Sequence, residues 1–253
     1  MTGSTWQVTF KVYRQRTGEK PSHQSYSLDV DPDEYILDAV ERIWAFHDRT
    51  LTYRHACHHS TCGACGMRVN GREKLTCITT IRSVTRNGGT VRIDPLRNFP
   101  VISDLVVDMG NFFLRMEKSG FDSVVPLDKA NLPYESTITR VSEHKHEAER
   151  LADCIECGLC ISACPAANTD HEYVGPAVLA SIHLMYTQSP SQALIDQADH
   201  HTGLWRCHSA YECTQVCPSG VDPAWRIMDM RKKIIGNRIK SIFTRPNEDK
   251  KNA

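Results

Sequence analysis

Cys57-His58-His59-Ser60-Thr61-Cys62-Gly63-Ala64-Cys65, with Cys77 following after eleven intervening residues, is the stretch on which the reading of this chain turns. Three thiols at Cys-x4-Cys-x2-Cys and a distant fourth form the loop spacing that wraps a plant-type [2Fe–2S] cluster. Two irons need soft thiolate donors. Gly63 and Gly66 between the ligands let backbone N–H groups approach the sulfurs, and those bonds stabilise the more negative, reduced state. Four cysteines could also hold zinc, although zinc modules usually pair two Cys-x2-Cys knuckles. His55, His58 and His59 crowd the loop; a histidine pair would make a Rieske-type centre, but four cysteines already fill the site, which leaves the histidines exposed or outside the ligand set.

The other seven of the eleven cysteines form two further runs. Cys154-x2-Cys157-x2-Cys160-x3-Cys164 is followed by Pro165, and Cys207, Cys213 and Cys217 are followed by Pro218. The first of these is the bacterial ferredoxin run, in which the fourth cysteine serves the other cluster of a pair. By that crossover Cys154, Cys157, Cys160 and Cys217 hold one [4Fe–4S] cluster. Cys164, Cys207 and Cys213 supply only three thiolates to the other, because Ala210 stands where its fourth ligand belongs. A cubane short of a ligand loses that iron to give [3Fe–4S], or takes water at the open corner. No cysteine remains for a disulfide or a catalytic thiol, and an odd count argues for a reducing compartment.

Lys and Arg total 30 and Asp and Glu total 30, so nothing in the charge balance implies a nucleic-acid partner. The first residues lack the charged-then-apolar layout of a signal peptide. No apolar run reaches the ~18–20 residues that span a bilayer; the longest, Ala177 to Tyr186, contains His183. The chain reads as soluble or peripheral.

Outward from the first loop the pattern is β-rich. Val8, Phe10 and Val12 alternate with polar residues, as do Tyr26, Leu28 and Val30. Asp31-Pro32-Asp33-Glu34 is a helix-start signal, and Ile36, Leu37, Val40, Ile43 and Trp44 then recur at helical spacing. Met67–Val69, the Asn70-Gly71 turn and Leu75–Ile78 read as a hairpin, and Val91 and Ile93 complete the sheet. This predicts a β-grasp domain. Beyond the break at Pro95–Pro100, Leu105, Val106, Met109, Phe112, Phe113 and Met116 suit one buried helical face. Gly120–Ser136 reads as linker, and from about Glu143 the chain reads as helical. Gly175-Pro176, Ser189-Pro190 and Asp222-Pro223 each open a helix with proline near its first position. The prediction is an α+β protein in two domains, a β-grasp plant-type ferredoxin domain over residues 1–105 and an all-helical bacterial-ferredoxin-like domain over 106–253.

The order of the three cysteine groups, with one ligand missing from the last, resembles the iron–sulfur subunit of succinate dehydrogenase and fumarate reductase. The resemblance covers nearly the whole chain. It includes Leu51-Thr52-Tyr53-Arg54, Cys62-Gly63-Ala64-Cys65-Gly66-Met67, residues 98–108 from Asn98 to Asp108, Cys154-Ile155-Glu156-Cys157-Gly158-Leu159-Cys160 and Cys217-Pro218-Ser219-Gly220-Val221-Asp222-Pro223. It implies a flavoprotein partner with covalent FAD that interconverts succinate and fumarate, and one or two transmembrane anchor subunits, with or without haem. It also implies electrons running between the flavin, [2Fe–2S], [4Fe–4S], [3Fe–4S] and a quinone at the anchor. The dicarboxylate site then lies on the partner, and this chain has no catalytic residue of its own. The expected location is peripheral, on the cytoplasmic face of the cell inner membrane.

The same resemblance assigns Pro165, His208 and Arg231 to the quinone end, Arg231 standing where the family has a lysine. Ala166-Ala167-Asn168 replaces the tryptophans of ubiquinone-using dehydrogenases, and the loop to Gly175-Pro176 is short, which points to menaquinone. Residues 225–245 hold seven basic residues and one acid, Asp229, a pattern suited to a membrane surface or a dock for the anchor. Trp205 and Trp225 suit the same boundary or a core place beside a cluster. The rival readings are a free-standing multi-cluster ferredoxin, the iron–sulfur subunit of a thiol-linked fumarate or heterodisulfide reductase, and a non-redox protein that uses metal structurally. The first would lack a flavoprotein partner, the second carries further cysteine-rich modules absent after Cys217, and the third would be colourless with zinc.

Overall fold

The computed structural model describes residues 5–120 and 154–244. Two nine-residue strands open the fold, β1 (Trp6–Arg14) and β2 (Ser22–Val30), paired antiparallel from Trp6↔Val30 to Arg14↔Ser22. Val8, Phe10, Val12, Leu28 and Val30 turn inward, as the alternation requires. Helix α1 (Ile36–Phe46) crosses the sheet and buries Ile36, Leu37, Ala39, Val40 and Ile43. The hairpin β3 (Gly66–Val69) and β4 (Arg72–Leu75) turns on Asn70 and Gly71, both left-handed, and β5 (Thr90–Asp94) runs parallel to β1. The sheet order is β2-β1-β5-β3-β4.

Several local expectations shift. The helix starts at Ile36 rather than on the Asp31-Pro32-Asp33-Glu34 signal: Tyr35 is its N-cap and Asp38 accepts from the Tyr35 N–H at 3.0 Å. Trp44 is not core; it lies half-exposed beneath the Arg49 guanidinium at 4.2 Å. The return strand of the hairpin is Arg72–Leu75, and Thr76–Ile78, expected as strand, is a 3-10 turn that brings Cys77 inward. Leu105 and Val106 do not share a helix with Phe112. They belong to a two-stranded hairpin, β6 (Val101–Ser103) and β7 (Val106–Val107), and α2 begins only at Gly110 and ends at Lys118. The reason is Asp104, held left-handed at φ +44° as a turn. Phe112 and Met116 are buried on α2, whereas Phe113 is exposed.

The rest of the described chain is helices and loops: α3 (Leu159–Ser162), α4 (Pro165–Thr169), α5 (Pro176–Gln188), α6 (Gln192–Ala198), α7 (Glu212–Gln215) and the long α8 (Pro223–Thr244). Gly175-Pro176 and Asp222-Pro223 open helices as expected, but α6 starts at Gln192 behind Ser191, whose Oγ accepts from the Leu194 N–H, not at Ser189-Pro190. Helix α5 is apolar on every side and correspondingly buried from Pro176 to Leu184. It packs on α8, which buries Ala224, Ile227, Met230 and Ile234 along one stripe. Residues 121–136 of the expected linker and residues 143–153 of the expected helical stretch lie outside the described residues. Among the described residues, no helix is long and apolar enough to cross a membrane.

Candidate metal centre

The first loop presents its thiols through a backbone that repeatedly turns left-handed. His58 and Ser60 have φ near +60° (61° and 60°) and Gly63 has φ +69°. Residues other than glycine seldom adopt this region, and such turns aim successive N–H groups into one concavity. The N–H groups of His59, Thr61 and Cys62 donate to Cys57 Sγ at 3.4, 3.3 and 3.4 Å. They draw the Cys57 thiol down to about 6, the His59 N–H contributing most. Burial, followed by the neighbouring Cys65, pushes Cys77 up to about 11. Thr76 ties this second arm to the loop, its N–H and Oγ1 reaching the Cys65 carbonyl at 3.2 and 2.9 Å.

Cys154, Cys157, Cys160 and Cys217 line one cavity together with Phe112, Ala177, Val221 and Pro223. Burial pushes Cys154 up to about 11, Cys157 up to about 12 and Cys160 well above the ordinary thiol value, and the thiols raise one another. The third group is Cys164, Cys207 and Cys213. Burial, then the charges of Cys164 and Cys207, pushes Cys213 up to about 12. Ser209 N–H donates to Cys207 Sγ and Val221 N–H to Cys217 Sγ, both at 3.4 Å. Here too the loops turn left-handed, at Glu156, Gly158, Ser209 and Tyr211. Ala210 is exposed.

These surroundings fit iron–sulfur clusters. Several buried thiolates in an apolar cavity are unfavourable alone, and a cation at their centre removes the penalty. The N–H groups aimed at sulfur are the donors that stabilise the extra negative charge of a reduced cluster.

The groups abut. A Cβ built on Gly63 would lie 2.7 Å from the Ile155 carbonyl oxygen and 2.9 Å from both Cα and Cβ of Cys157, so the backbone of the first thiol loop touches that of the second. Around this junction, Ser162 Oγ donates to the buried Glu73 at 2.8 Å and accepts from the Arg97 N–H at 2.9 Å. Asn98 Nδ2 donates to the Ile161, Ser162 and Cys164 carbonyls at 2.7, 3.3 and 3.2 Å, fixing the end of α3, which carries Cys160, and the turn to Cys164, the N-cap of α4. Asp104 is fully buried and accepts from Arg14 Nε at 3.1 Å and from the Gln15 and Thr52 N–H groups at 3.0 and 2.9 Å. It joins the end of β1 to the extended segment at Thr52 that leads toward the first loop. Sequence reasoning gave Glu73, Ser162 and Asp104 no role of their own; Asp104 entered only within the quoted stretch 98–108, and burial leaves no mark on the sequence.

Two family models match. One, a 2Fe-2S iron-sulfur cluster binding domain, covers residues 9–114. The other, a 4Fe-4S dicluster domain, covers residues 150–221. The chain is 33% identical over 237 residues to the fumarate reductase iron-sulfur subunit of Mycobacterium tuberculosis, spanning 91% of this chain and 93% of that protein. It is 30% identical over 236 residues to the mitochondrial succinate dehydrogenase [ubiquinone] iron-sulfur subunit of Candida glabrata, spanning 89% and 90%. The chain belongs to the family of succinate dehydrogenase and fumarate reductase iron–sulfur subunits. A solved chain of the Mycobacterium smegmatis Sdh1 complex in the apo form shares the fold, with a TM-score of 0.76 at 24% identity over 93% of this chain and 98% of that one. As an iron–sulfur subunit it is an electron-transfer component of an oxidoreductase.

In this iron–sulfur subunit, the residues assigned by resemblance to the quinone end are placed as follows. Pro165 is the exposed first residue of α4, and His208 is exposed next to Cys207. Arg231, on α8, turns back to the cysteine loop: Nε donates to the Leu204 carbonyl at 3.0 Å and Nη2 to the Leu204 and Cys207 carbonyls, the latter at 2.8 Å. Its guanidinium also lies 5.6 Å from the Trp205 ring centre. Tyr173, which sequence reasoning missed, buries its hydroxyl among Cys164, Cys207 and Cys213, and burial pushes its pKa up before the thiols add to the shift. The basic helix is less of an open surface than its composition suggests. Arg226 is buried on the Val221 carbonyl, Lys233 pairs with Asp229 at 2.8 Å, and Arg238 pairs with Asp199. Trp205 and Trp225 are both partly exposed, and the Trp225 ring stands edge-on to His183.

Proposed function

We propose that this chain is the electron wire of a membrane-bound succinate dehydrogenase or fumarate reductase. It would pass single electrons between the covalent FAD of a flavoprotein subunit and a quinone, menaquinone by the loop after Pro165, at a transmembrane anchor. Cys57, Cys62, Cys65 and Cys77 would hold [2Fe–2S]; Cys154, Cys157, Cys160 and Cys217 would hold [4Fe–4S]; Cys164, Cys207 and Cys213 would hold [3Fe–4S] opposite Ala210. The bound clusters supply one-electron carriage.

The chain's own residues do the rest. The N–H groups of His59, Thr61, Cys62, Ser209 and Val221 stabilise negative charge on the sulfurs. Phe112, Ala177 and Val221 keep water from the middle thiols. Pro165, His208 and Arg231 border the last group, Arg231 holding its loop while His208 stays open to a quinone headgroup. The reading includes a β-grasp ferredoxin domain up to about residue 105, a bacterial-ferredoxin-like helical domain after it, and a peripheral place on the cytoplasmic face of the inner membrane.

One observation carries it: the eleven thiols gather into groups of four, four and three, and the first two groups meet backbone to backbone at Gly63 and Cys157. The test is purification from native membranes through a tag on this chain. A larger flavin-bearing partner and succinate-dependent quinone reduction, or quinol-dependent fumarate reduction, are expected. A lone cluster-loaded chain with neither would favour the free-standing ferredoxin.

A further inference from the structure

Glu41 lies on the outer face of α1, while His55 and His58 lie on the segment entering the first thiol loop. Three ligating atoms from these residues converge. His55 Nδ1 and His58 Nε2 are each 3.2 Å from Glu41 Oε1, and the two ring nitrogens are 3.1 Å apart. Glu41 Oε1 has no solvent contact and accepts no hydrogen bond.

With Glu41 ionised, protons leave at least one edge of this triangle without a donor. Each ring nitrogen carries at most one hydrogen in the ring plane, and a protonated nitrogen no longer accepts. If both nitrogens donate to Glu41, two N–H groups oppose each other at 3.1 Å; if one is bare it can accept from the other ring, but its lone pair then faces the carboxylate at 3.2 Å. One cation in contact with all three atoms satisfies every edge. Tetrahedral zinc, with bonds of about 2.0–2.1 Å, sets its ligand atoms about 3.3 Å apart, close to the observed triangle.

Both rings are held in place without a metal. Tyr53 stacks on His55 at 5.1 Å and 20°, and the left-handed backbone of His58, φ +61°, turns its ring back edge-on to His55.

We propose that Glu41, His55 and His58 form a site for one divalent transition cation, zinc by donor type, with water at the fourth position. Two imidazoles and one carboxylate are a borderline donor set that suits zinc better than calcium or magnesium. The site straps α1 to the segment carrying Cys57 and sets a double positive charge beside the first thiol group. It is independent of which quinone or flavoprotein the chain serves.

The test uses the full chain with its clusters, handled anaerobically, equilibrated by dialysis against micromolar zinc chloride. Zinc and iron are counted per chain by mass spectrometry of the elements. Wild type and His59→Asn are expected to retain one zinc per chain. Glu41→Gln and His58→Asn are expected to bind it at least tenfold more weakly, with iron content and visible circular dichroism unchanged. Because Glu41 lies on α1, outside the thiol loops, Glu41→Gln decides the matter even if His58→Asn loses iron. No zinc on the iron-replete wild type, or equal zinc on wild type and Glu41→Gln, would overturn the site.

Discussion

Gly63→Ala separates the contact between the first two thiol loops from ordinary backbone strain. Gly63 has φ +69°, and its added Cβ would sit 2.7 Å from the Ile155 carbonyl oxygen and 2.9 Å from Cys157 Cα, all of it backbone or ligand that cannot swing aside. The left-handed conformation costs alanine about 1–2 kcal/mol. Forcing a methyl into a closed contact costs about 1–3 kcal/mol more. Gly71→Ala is the matched control, because Gly71 has φ +82° but nothing within 4 Å of its Cβ position, so only the first cost applies. A difference of about 1–3 kcal/mol in a chain of this size corresponds to about 2–12 °C in melting temperature. The assay is thermal loss of visible circular dichroism from the cluster-loaded chain at one fixed scan rate. Gly63→Ala should melt below Gly71→Ala by that margin and should slow electron transfer between the first two clusters, whereas Gly71→Ala should not. Equal melting of the two variants would refute the backbone contact as the junction.

Asp104→Ala removes a fully buried carboxylate that faces Arg14 Nε at 3.1 Å and two N–H groups, and a loss of about 3–5 kcal/mol is expected in thermal melts of the loaded chain. His183 is buried against Asp229, and burial holds its pKa below 6.5 despite the acid. The unfolded chain therefore takes up a proton that the folded chain resists, and stability falls as pH drops below 6.5 toward the folded value. His183→Gln should lose less melting temperature between pH 7.5 and 5.5 than wild type, and equal losses would remove His183 from that window. Arg231→Ala frees the Leu204 and Cys207 carbonyls, each charged hydrogen bond being worth about 1.5–3 kcal/mol, and iron per chain should fall while the first group keeps its visible dichroism.

That Cys154, Cys157, Cys160 and Cys217 line one cavity was legible because the spacing of the run is local and a rule about paired runs adds Cys217. The strands were legible because Val8, Phe10 and Val12 alternate against one buried face. The start of α1 was misread because Asp31-Pro32 carries the composition of a cap, whereas the Tyr35–Asp38 pair that performs the capping is not a common one. Leu105 was read into a helix because its spacing from Met109 and Phe112 fits a helical period, which a tight turn at Asp104 can imitate. The left-handed His58, Ser60, Ser209 and Tyr211 leave no mark on the sequence; they follow from wrapping amides around sulfur. Contacts such as Ser162 to Glu73, 89 positions apart, arise only when the two thiol-bearing parts pack together.

The proposed [3Fe–4S] cluster opposite Ala210 is tested most directly by low-temperature electron paramagnetic resonance of the purified, cluster-loaded protein. A [3Fe–4S] signal is expected in the air-oxidised sample and should disappear on reduction while a [2Fe–2S] signal appears. Ala210→Cys should weaken the oxidised-state signal. Two [4Fe–4S] signals on reduction, with no signal in the oxidised sample, would contradict the proposed cluster and place a non-cysteine ligand at the third group.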